Sequence, residues 1–347
     1  MTTTALPTST HPASTIPATI PPTMRAIVQD GYGDAEVLRP AERPAPRALR
    51  AEEVLVRVHA AGLDRGTWHL MTGTPYAVRL AMGLRRPRQP VPGLDVSGTV
   101  VAVGAAVTAF APGDEVYGIG SGTFAEYAVA KAGKLSAKPT GLTHQQAATV
   151  PISAITAVQA VSDLARVRAG QRVLVTGASG GVGSYAVQIA VAAGAEVTGV
   201  CSAAKADLVR SLGATHVLDY AVDDLAAVAD HYDAIIDIAG NTTLSRLRRA
   251  LTPTGTAVLV GGEDAGKLLG MGRQLRGLVV SLFSRQRLTL RLPKEGAADL
   301  ERLTALIDAG DLTPSVGDTY PLADAAQAMR DLVAGRVRGK VAIVVGG

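Results

Sequence analysis

Residues Arg172–Ala193 limit the fold of this chain more than any other part of the sequence. The run Arg172–Thr176 is rich in β-formers, four glycines fall within Gly177–Gly183, and Ser184–Ala193 is apolar with a helical pattern. A strand that leads through a glycine turn into a helix is typical of the phosphate-binding start of a dinucleotide fold. Small residues let the backbone approach a pyrophosphate, and the amides at the helix start attract its charge. The residues expected to contact the pyrophosphate are Ala178, Ser179, Gly180, Gly181, Val182 and Gly183.

Apolar strands and short helices alternate over the following hundred residues. The expected strands are Glu196–Cys201, His216–Tyr220, Asp233–Ile238 and Thr256–Val260. The expected helices are Ala203–Leu212, Val222–His231 and Thr242–Leu251. This alternation predicts an α/β fold with a doubly wound parallel sheet, which binds its ligand beyond the carboxyl ends of the strands.

The end of the second strand distinguishes NAD from NADP. Enzymes that use NAD usually place Asp or Glu there to bind the ribose hydroxyls. This chain has Cys201 and Ser202 instead, with Lys205 one helical turn later and Tyr220 at the end of the third strand. A hydroxyl and an ammonium without a nearby acid favour a 2′-phosphate, so we expect NADPH. The alternative is that Ser202 only caps a helix and Lys205 is a solvated charge.

Length and composition indicate a two-domain enzyme without a membrane span. The chain has 347 residues, 47% of them hydrophobic, but no apolar run approaches the ~18–20 residues that span a bilayer. A single cysteine excludes an internal disulfide and fits a reducing compartment. Residues 1–23 are rich in Thr, Pro and Ala and lack the pattern of a secretion or transit signal. We expect a disordered tail over 1–23 and a cytoplasmic location.

The formal charge of +4 raises nucleic acid or acidic membranes as partners. The basic residues are dispersed, with local concentrations at Arg85, Arg86 and Arg88 and at Arg285, Arg287 and Arg291. Neither a nucleic-acid-binding module nor an aromatic stacking platform accompanies them, so nucleic acid is not an expected partner.

The segments on either side of the dinucleotide unit have a different pattern. Short β-like runs separated by Gly and Pro extend from Met24 to Val129 and predict an antiparallel barrel or sandwich. Thr143 and Gln146 have capping-box spacing at the start of a helix near Thr143–Val150. Lys340–Val345 is expected to be a buried strand that returns to the first domain.

Six motifs give the chain a resemblance to a known family over residues 24–347. They are AAGLD (Ala60–Asp64), PGLDVSGTVVAVG (Pro92–Gly104), PGDEVYG (Pro112–Gly118), GTFAEYAV (Gly122–Val129), GASGGVG (Gly177–Gly183) and RGKVAIVV (Arg338–Val345). The chain resembles the zinc-independent quinone-oxidoreductase branch of the medium-chain dehydrogenases/reductases. The resemblance implies a GroES-like β-barrel catalytic domain over 24–150, completed by 294–347, and a Rossmann domain over 151–293. It also implies hydride transfer in the cleft between them, and a homodimer, for which Leu282–Leu292 is a candidate edge.

The resemblance also suggests roles for single residues. Asp64 stands where many relatives have Asn near the nicotinamide. Thr156 resembles a family threonine that approaches the nicotinamide. The equal alternative for Thr156 is a helix hydroxyl that bonds to its own backbone. Lys340 would reach the cofactor or remain a solvated charge. Backbone at Gly240, Gly261 and Gly262 would line the nicotinamide pocket, and Tyr76 would contribute to the substrate mouth.

No zinc site is expected. Asp64 and Leu94–Asp95 occupy the positions of zinc ligands in zinc-dependent relatives, and the only cysteine, Cys201, belongs to the nucleotide-binding part. Without a Lewis acid, an acceptor activated by conjugation is the better substrate. The expected activity is therefore NADPH-dependent reduction of a quinone or an α,β-unsaturated carbonyl compound. A zinc-free alcohol or aldehyde dehydrogenase and a non-catalytic NADPH-binding protein are the alternatives.

Overall fold

Short strands build the N-terminal part of the molecule. The computed structural model describes residues 20–227, 229–261, 272–290 and 295–346. The elements of this part are β1 Thr23–Val28, a 3₁₀ turn Ala35–Val37, β2 Arg39–Pro44, β3 Glu53–Leu63, α1 Arg65–Thr72, α2 Val78–Met82, β4 Asp95–Val103, β5 Glu115–Ser121 and β6 Tyr127–Ala137. β1 and β2 pair as an antiparallel ribbon.

The strands β3 to β6 close into a barrel. They are hydrogen-bonded in chain order, and β6 pairs back onto β3. Alternate residues of β3, namely Val54, Val56 and Val58, are buried in one apolar cluster with residues of β4, β5 and β6, as expected for a strand with one face inward. The predicted antiparallel barrel is confirmed.

A short helical connection joins the barrel to the parallel sheet. It consists of α3 His144–Ala148, α4 Pro151–Val158 and a π-helical turn Gln159–Leu164. The predicted capping box is present, because the Thr143 hydroxyl accepts from the Gln146 amide while the Gln146 side chain accepts from the Thr143 amide. Pro151 lies in the first turn of α4, where a missing N–H costs no hydrogen bond.

Parallel strands and helices alternate after residue 171. The elements are β7 Arg172–Thr176, α5 Gly181–Ala192, β8 Glu196–Cys201, a 3₁₀ turn Ala203–Lys205, α6 Ala206–Ser211, β9 His216–Asp219, β10 Tyr232–Asp237, α7 Leu244–Ala250, β11 Leu251–Leu259, α8 Gly272–Leu282 and β12 Arg287–Leu290. The strand order is β12-β11-β10-β7-β8-β9, with every neighbouring pair parallel. The order reverses between β7 and β10, which is the switch point where a doubly wound sheet binds its ligand.

The C-terminal part returns to the barrel. Its elements are α9 Ala297–Asp308, β13 Val316–Pro321, a 3₁₀ turn Leu322–Asp324, α10 Ala325–Val333 and β14 Lys340–Val344. β14 pairs antiparallel with β3, and β13 pairs with β14. The last strand therefore joins the sheet formed by the first 140 residues, while the boundaries at residues 150 and 293 stay predictions.

Two expectations need correction. The predicted helix Val222–His231 is a series of turns in the described part of that range. Asp219, Asp223 and Asp224 bind nearby backbone amides with their carboxylates, and such local bonds compete with helix formation. The predicted tail extends too far, because Ile20 is buried and Thr23 begins β1; residues 1–19 lie outside the described residues.

Candidate active site

The glycine turn between β7 and α5 is shaped by contacts that exclude side chains. Gly177 has a left-handed φ of +67°, and a Cβ at Gly183 would lie 2.0 Å from the Gly177 carbonyl oxygen. Gly180 is the N-cap of α5, so Gly181, Val182 and Gly183 form its first turn. The amides of a first helical turn have no partner within the helix and are available to an anion. We call this turn the cradle; its geometry is the one expected for a pyrophosphate, and its binding of a pyrophosphate stays a prediction.

The start of β14 lies against this turn. The Gly339 amide donates to the Ser179 carbonyl at 3.0 Å. Lys340 is only 1% exposed, and its Nζ donates to Ser153 Oγ at 2.8 Å. A Cβ at Gly181 would meet the Lys340 side chain at 2.9 Å. Lys340 is therefore a buried group beside the cradle, and the alternative of a solvated charge is wrong.

Asp95 is a second buried charged group near Lys340. Its Oδ1 accepts from the Ile152 amide at 3.0 Å, while Oδ2 has no hydrogen-bond partner among the described residues. Burial, followed by the charge of Asp64, raises the pKa of Asp95 well above its ordinary value, and Lys340 opposes that rise. No local sequence signal marks this arrangement, because Asp95, Ile152 and Lys340 are far apart along the chain.

Asp64 and Thr156 lie in this region but are engaged in local bonds. The Asp64 carboxylate caps α1 by accepting from the Thr67 amide at 2.8 Å. The Thr156 hydroxyl donates to the Ile152 carbonyl at 2.7 Å within α4. The alternative for Thr156, a hydroxyl bonded to the backbone of its own helix, is therefore present in the structure. The predicted roles of Asp64 and Thr156 near a nicotinamide stay predictions.

The residues predicted to bind a 2′-phosphate come together at the end of β8. Ser202 is the N-cap of the next 3₁₀ turn, but its side chain makes no capping bond. The Tyr220 amide donates to the Cys201 carbonyl, which holds the tyrosine beside Ser202 with 68% of its surface exposed. Lys205 Nζ donates to the carbonyls of Gly335 and Val337, both at 2.8 Å.

Arg338 completes this group and was not predicted. It is exposed and follows directly on the loop that Lys205 holds. Lys205 Nζ contacts the carbonyl of Val337, the residue directly before Arg338, and burial, followed by the charge of Arg338, lowers the pKa of Lys205. The sequence signal was present in the motif that begins at Arg338, but only the fold brings that motif to the end of β8.

The ends of β10 and β11 form the other side of the switch point. Gly240 has φ of +72°, and a Cβ at Gly261 would lie 1.9 Å from the Ile238 carbonyl oxygen. Both positions therefore need glycine. Gly262, predicted with them, lies outside the described residues.

A buried ion pair supports these strand ends. Asp237 Oδ1 accepts from the Thr176 hydroxyl at 2.8 Å. Its Oδ2 lies 2.5 Å from Arg273 Nη2, although the groups are not aligned as a hydrogen bond. Arg273 Nε also donates to the Thr242 carbonyl. Sequence analysis missed this pair, whose members are on different elements.

A cavity of about 770 Å³ opens next to Leu94 and Ile152. Its wall combines apolar side chains with polar and charged ones; the charged residues are Arg43, Arg50, Glu53, Lys131, Lys134 and Glu295. Tyr76 is absent from the described residues that line it; it is 45% exposed, and the Arg79 guanidinium lies 4.7 Å from its ring centre. The structure therefore does not bring Tyr76 to this cavity, and its predicted substrate role stays untested.

The described residues contain no group of three or more His, Cys, Asp or Glu side chains that could hold a metal ion. His69, close to Asp64 in sequence, lies within hydrogen-bond distance of the Thr74 carbonyl at 2.7 Å. Within the same described ranges, no helix is both long and apolar enough to cross a bilayer.

Two family models match the chain. The alcohol dehydrogenase GroES-like domain matches residues 50–140, which include β3 to β6. The zinc-binding dehydrogenase family matches residues 212–343, which extend from the parallel sheet to β14.

Curated proteins and solved structures match over nearly the whole length. The chain is 32% identical to the mitochondrial NAD(P)H oxidoreductase RTN4IP1 of Mus musculus, covering 93% of this chain and 89% of that protein. It is 31% identical to a chloroplastic quinone-oxidoreductase homolog of Spinacia oleracea, and the match covers 92% of this chain and 98% of that protein. The quinone oxidoreductase of Coxiella burnetii superposes with a TM-score of 0.82 at 29% identity, covering 93% and 100%. A mycobacterial protein solved with NADPH superposes with a TM-score of 0.77 at 28% identity, covering 93% and 100%.

Proposed function

The chain belongs to the medium-chain dehydrogenase/reductase superfamily and is quinone-oxidoreductase-like, and from this premise we propose that it reduces quinones or α,β-unsaturated carbonyl compounds with NADPH and without zinc. The observation that carries the proposal is the cradle at the start of α5. Side chains at Gly177 and Gly183 are excluded there by backbone conformation and sub-van-der-Waals distances, and the first turn of α5 follows the carboxyl end of β7, next to the switch point of the sheet. When bound, the nicotinamide supplies the hydride.

Three features support NADPH over NADH. Lys205 and Arg338 place two cations at the end of β8, and the half-buried hydroxyl of Ser202 is free of a capping bond. The residue at the strand end is Cys201, and the acid opposite it on β9, Asp219, accepts a hydrogen bond from the Ala221 amide. A doubly charged 2′-phosphate is stabilised by such cations, whereas a ribose hydroxyl gains little from them. The mycobacterial neighbour was solved with NADPH.

The substrate class rests on the chemistry available without zinc and on the names of relatives. The cavity next to Leu94 and Ile152 has a mixed wall, with apolar and charged side chains, and its volume of about 770 Å³ suits a small-molecule acceptor. Thr156 donates its proton to a backbone carbonyl, so in this arrangement it is not the proton donor, and we propose that solvent supplies the proton. Among the residues that the structure describes, Asp64 and Asp95 belong to no group of three or more His, Cys, Asp or Glu side chains that could hold zinc, and a conjugated acceptor needs no Lewis acid. The names of the spinach and Coxiella proteins point to quinones.

The proposal includes a cytoplasmic homodimer. β12 is at the end of the strand order of the parallel sheet, and its outer edge has no partner strand among the described residues. Edge-to-edge pairing would use the backbone groups of Arg287–Leu290, which lie within the predicted edge Leu282–Leu292. The single cysteine fits the reducing cytoplasm, although the mouse and spinach relatives are named as organelle proteins.

A substrate panel tests the function. Purified protein is mixed with NADPH and with quinones, enones or aldehydes, and NADPH absorbance is followed; alcohols are tested with NADP⁺. We expect turnover with quinones or enones that survives a chelator. Alcohol oxidation would instead indicate a dehydrogenase, and NADPH binding by calorimetry without any turnover would indicate a binding protein.

A further inference from the structure

A second cavity, of about 570 Å³, opens near the ribbon of β1 and β2 and is lined by arginines. One of them is on β2 and three are on the loop that follows α2; they are Arg43, Arg85, Arg86 and Arg88. Asp30 is the one acid among the described residues that line it, and Asp30 is itself paired with Arg39. This cavity, which we call the arginine cavity, therefore has an excess of positive charge.

Backbone contacts hold the loop that carries three of these arginines. The Arg88 amide donates to the Met82 carbonyl at 2.7 Å, and the Tyr32 hydroxyl donates to the Gly83 carbonyl at 2.6 Å. Gly83 has φ of +121°, and a Cβ there would lie 2.2 Å from the Arg86 carbonyl oxygen. Little backbone ordering is therefore needed when an anion binds to this loop.

The arginine cavity adjoins the larger cavity of about 770 Å³. Arg43 and Pro90 line both of them. Ile152 lines the larger cavity, and its neighbour Ser153 accepts the hydrogen bond that keeps Lys340 beside the cradle. The two cavities together thus extend from the side of the cradle to the arginines.

The other charged groups of the larger cavity are mostly offset by acids. Lys134 Nζ lies 3.3 Å from Glu295 Oε2, and Arg50 Nε lies 3.8 Å from Glu53 Oε1. Lys131 is opposite Glu53 in the register of β3 and β6. The excess of positive charge is therefore greatest at the arginine end, at a distance along the cavities from Ile152.

We propose that the arginine cavity binds phosphate groups of the acceptor, which is an α,β-unsaturated carbonyl compound with a phosphorylated tail, as in an enoyl thioester of coenzyme A or of phosphopantetheine. Planar guanidinium groups pair with phosphate oxygens in a bidentate manner, and a simple quinone or enone has no group that would use them. This inference rests on the proposed function. The double bond takes a hydride from NADPH at its β-carbon and a proton from solvent at its α-carbon, which leaves a saturated thioester and NADP⁺.

Thioesters with the same acyl group test the proposal on the full-length chain. Crotonyl-CoA and crotonyl-N-acetylcysteamine share the reacting double bond, but only the first carries phosphates. At saturating NADPH we expect kcat/KM to be at least about tenfold higher for crotonyl-CoA, with the difference shrinking as salt is raised. Crotonyl phosphopantetheine separates the two sources: a kcat/KM near that of crotonyl-CoA indicates a carrier-bound thioester, and a much lower one indicates coenzyme A. Equal values for the first two thioesters would overturn the proposal.

Paired variants assign the effect to the arginine cavity. Arg85→Gln with Arg86→Gln, both exposed, should lower kcat/KM for crotonyl-CoA roughly 10–100-fold through KM, and for crotonyl-N-acetylcysteamine by less than about threefold. The matched control is Arg166→Gln with Arg168→Gln. It removes two exposed arginines from the loop before β7, at the end of the sheet away from the ligand, and should behave like the wild type. Unchanged kinetics with crotonyl-CoA in the first variant would contradict the assignment.

Free coenzyme A distinguishes the arginine cavity from the end of β8, which is also proposed to bind phosphate. Free coenzyme A should compete with the thioester and not with NADPH; competition with NADPH alone would overturn the inference. Its binding to the NADPH-bound protein is also measured by calorimetry, without turnover. Binding that is lost in the Arg85 and Arg86 double variant, with no reduction of any thioester, enone or quinone, would support the phosphate site while refuting the proposed function. Quinone reduction without a preference for the phosphorylated thioester would refute only the inference.

Discussion

The two ends of the dinucleotide crevice are built by different physical means. At the cradle end, backbone atoms meet so closely that a Cβ at Gly183 or Gly261 would be within about 2 Å of a carbonyl oxygen. At the end of β8, an exposed arginine, a half-buried lysine and an exposed tyrosine provide side-chain charge and hydroxyls. Backbone packing holds the cradle end in its conformation. Contacts between side chains from distant segments hold the β8 end.

This difference separates binding from selectivity. Every nicotinamide dinucleotide has a pyrophosphate, so under the proposed function the cradle would recognise the class of cofactor. Only NADPH carries the 2′-phosphate, so the β8 end would distinguish NADPH from NADH. Damage to the cradle should therefore affect both cofactors and the fold, whereas changes at the β8 end should affect NADPH alone.

Gly183→Ala should have the largest effect. The new Cβ would meet the Gly177 carbonyl oxygen, and backbone of the turn or of α5 must move to accommodate it. We expect a loss of about 2–4 kcal/mol in the free energy of unfolding. NADPH and NADH should both bind more than roughly tenfold more weakly, since the first-turn amides are displaced. Denaturant unfolding and calorimetry measure the two effects.

Gly141→Ala is the matched control. Gly141 is exposed, and a Cβ there would find no atom within 4 Å. Its unfolding free energy should stay within about 0.5 kcal/mol of the wild type. A Gly183→Ala protein with unchanged stability and unchanged affinity would show that the cradle is not fixed by packing.

Removing the two cations at the β8 end should have an intermediate effect. Lys205→Ala with Arg338→Ala deletes two donors, and a hydrogen bond to a charged group is worth about 1.5–3 kcal/mol. Lys205 already serves two carbonyls, so we expect a loss of NADPH affinity of roughly 10–100-fold in total. NADH affinity should change by less than about threefold, since it has no phosphate to lose.

Arg249→Ala controls for the loss of charge. Arg249 is exposed on α7, away from the 335–337 loop and the end of β8. The cofactor preference of this variant should equal that of the wild type. If the double variant instead weakens NADH as much as NADPH, Lys205 acts only by holding the loop.

The cradle end could be predicted from the sequence because its determinants are local. The strand, the glycines and the helix are contiguous, and the steric reasons for Gly177 and Gly183 concern residues six positions apart. The barrel strands and strand β14 could be predicted for the same reason, because each is a contiguous run of apolar residues. The helix expected over 222–231 failed where Asp219, Asp223 and Asp224 offered the backbone a competing set of bonds.

The supporting contacts could not be predicted, because they join distant segments. Lys340 is 187 residues from Ser153, to which it donates, and Arg338 reaches the end of β8 only through the return of β14 to the barrel. The pair Asp237–Arg273 likewise joins a strand to a helix that follows another strand. A single sequence carries no signal for such pairings, so Lys340 was equally compatible with a solvated position.

Salt should change the cofactor preference by a smaller amount. The cations at the β8 end are exposed or half-buried, and the Debye length falls from about 10 Å at 0.1 M salt to about 3 Å at 1 M. The pyrophosphate contacts are common to both cofactors, so their salt dependence cancels in the ratio of NADPH to NADH affinity. We expect that ratio, measured by calorimetry, to fall roughly threefold to tenfold between about 0.05 and 0.5 M NaCl. In Arg338→Ala the fall should be smaller, because one screened cation is already gone. A ratio that is insensitive to salt in the wild type would mean that NADPH is not selected by charge, and the contrast between the two ends of the crevice would be lost.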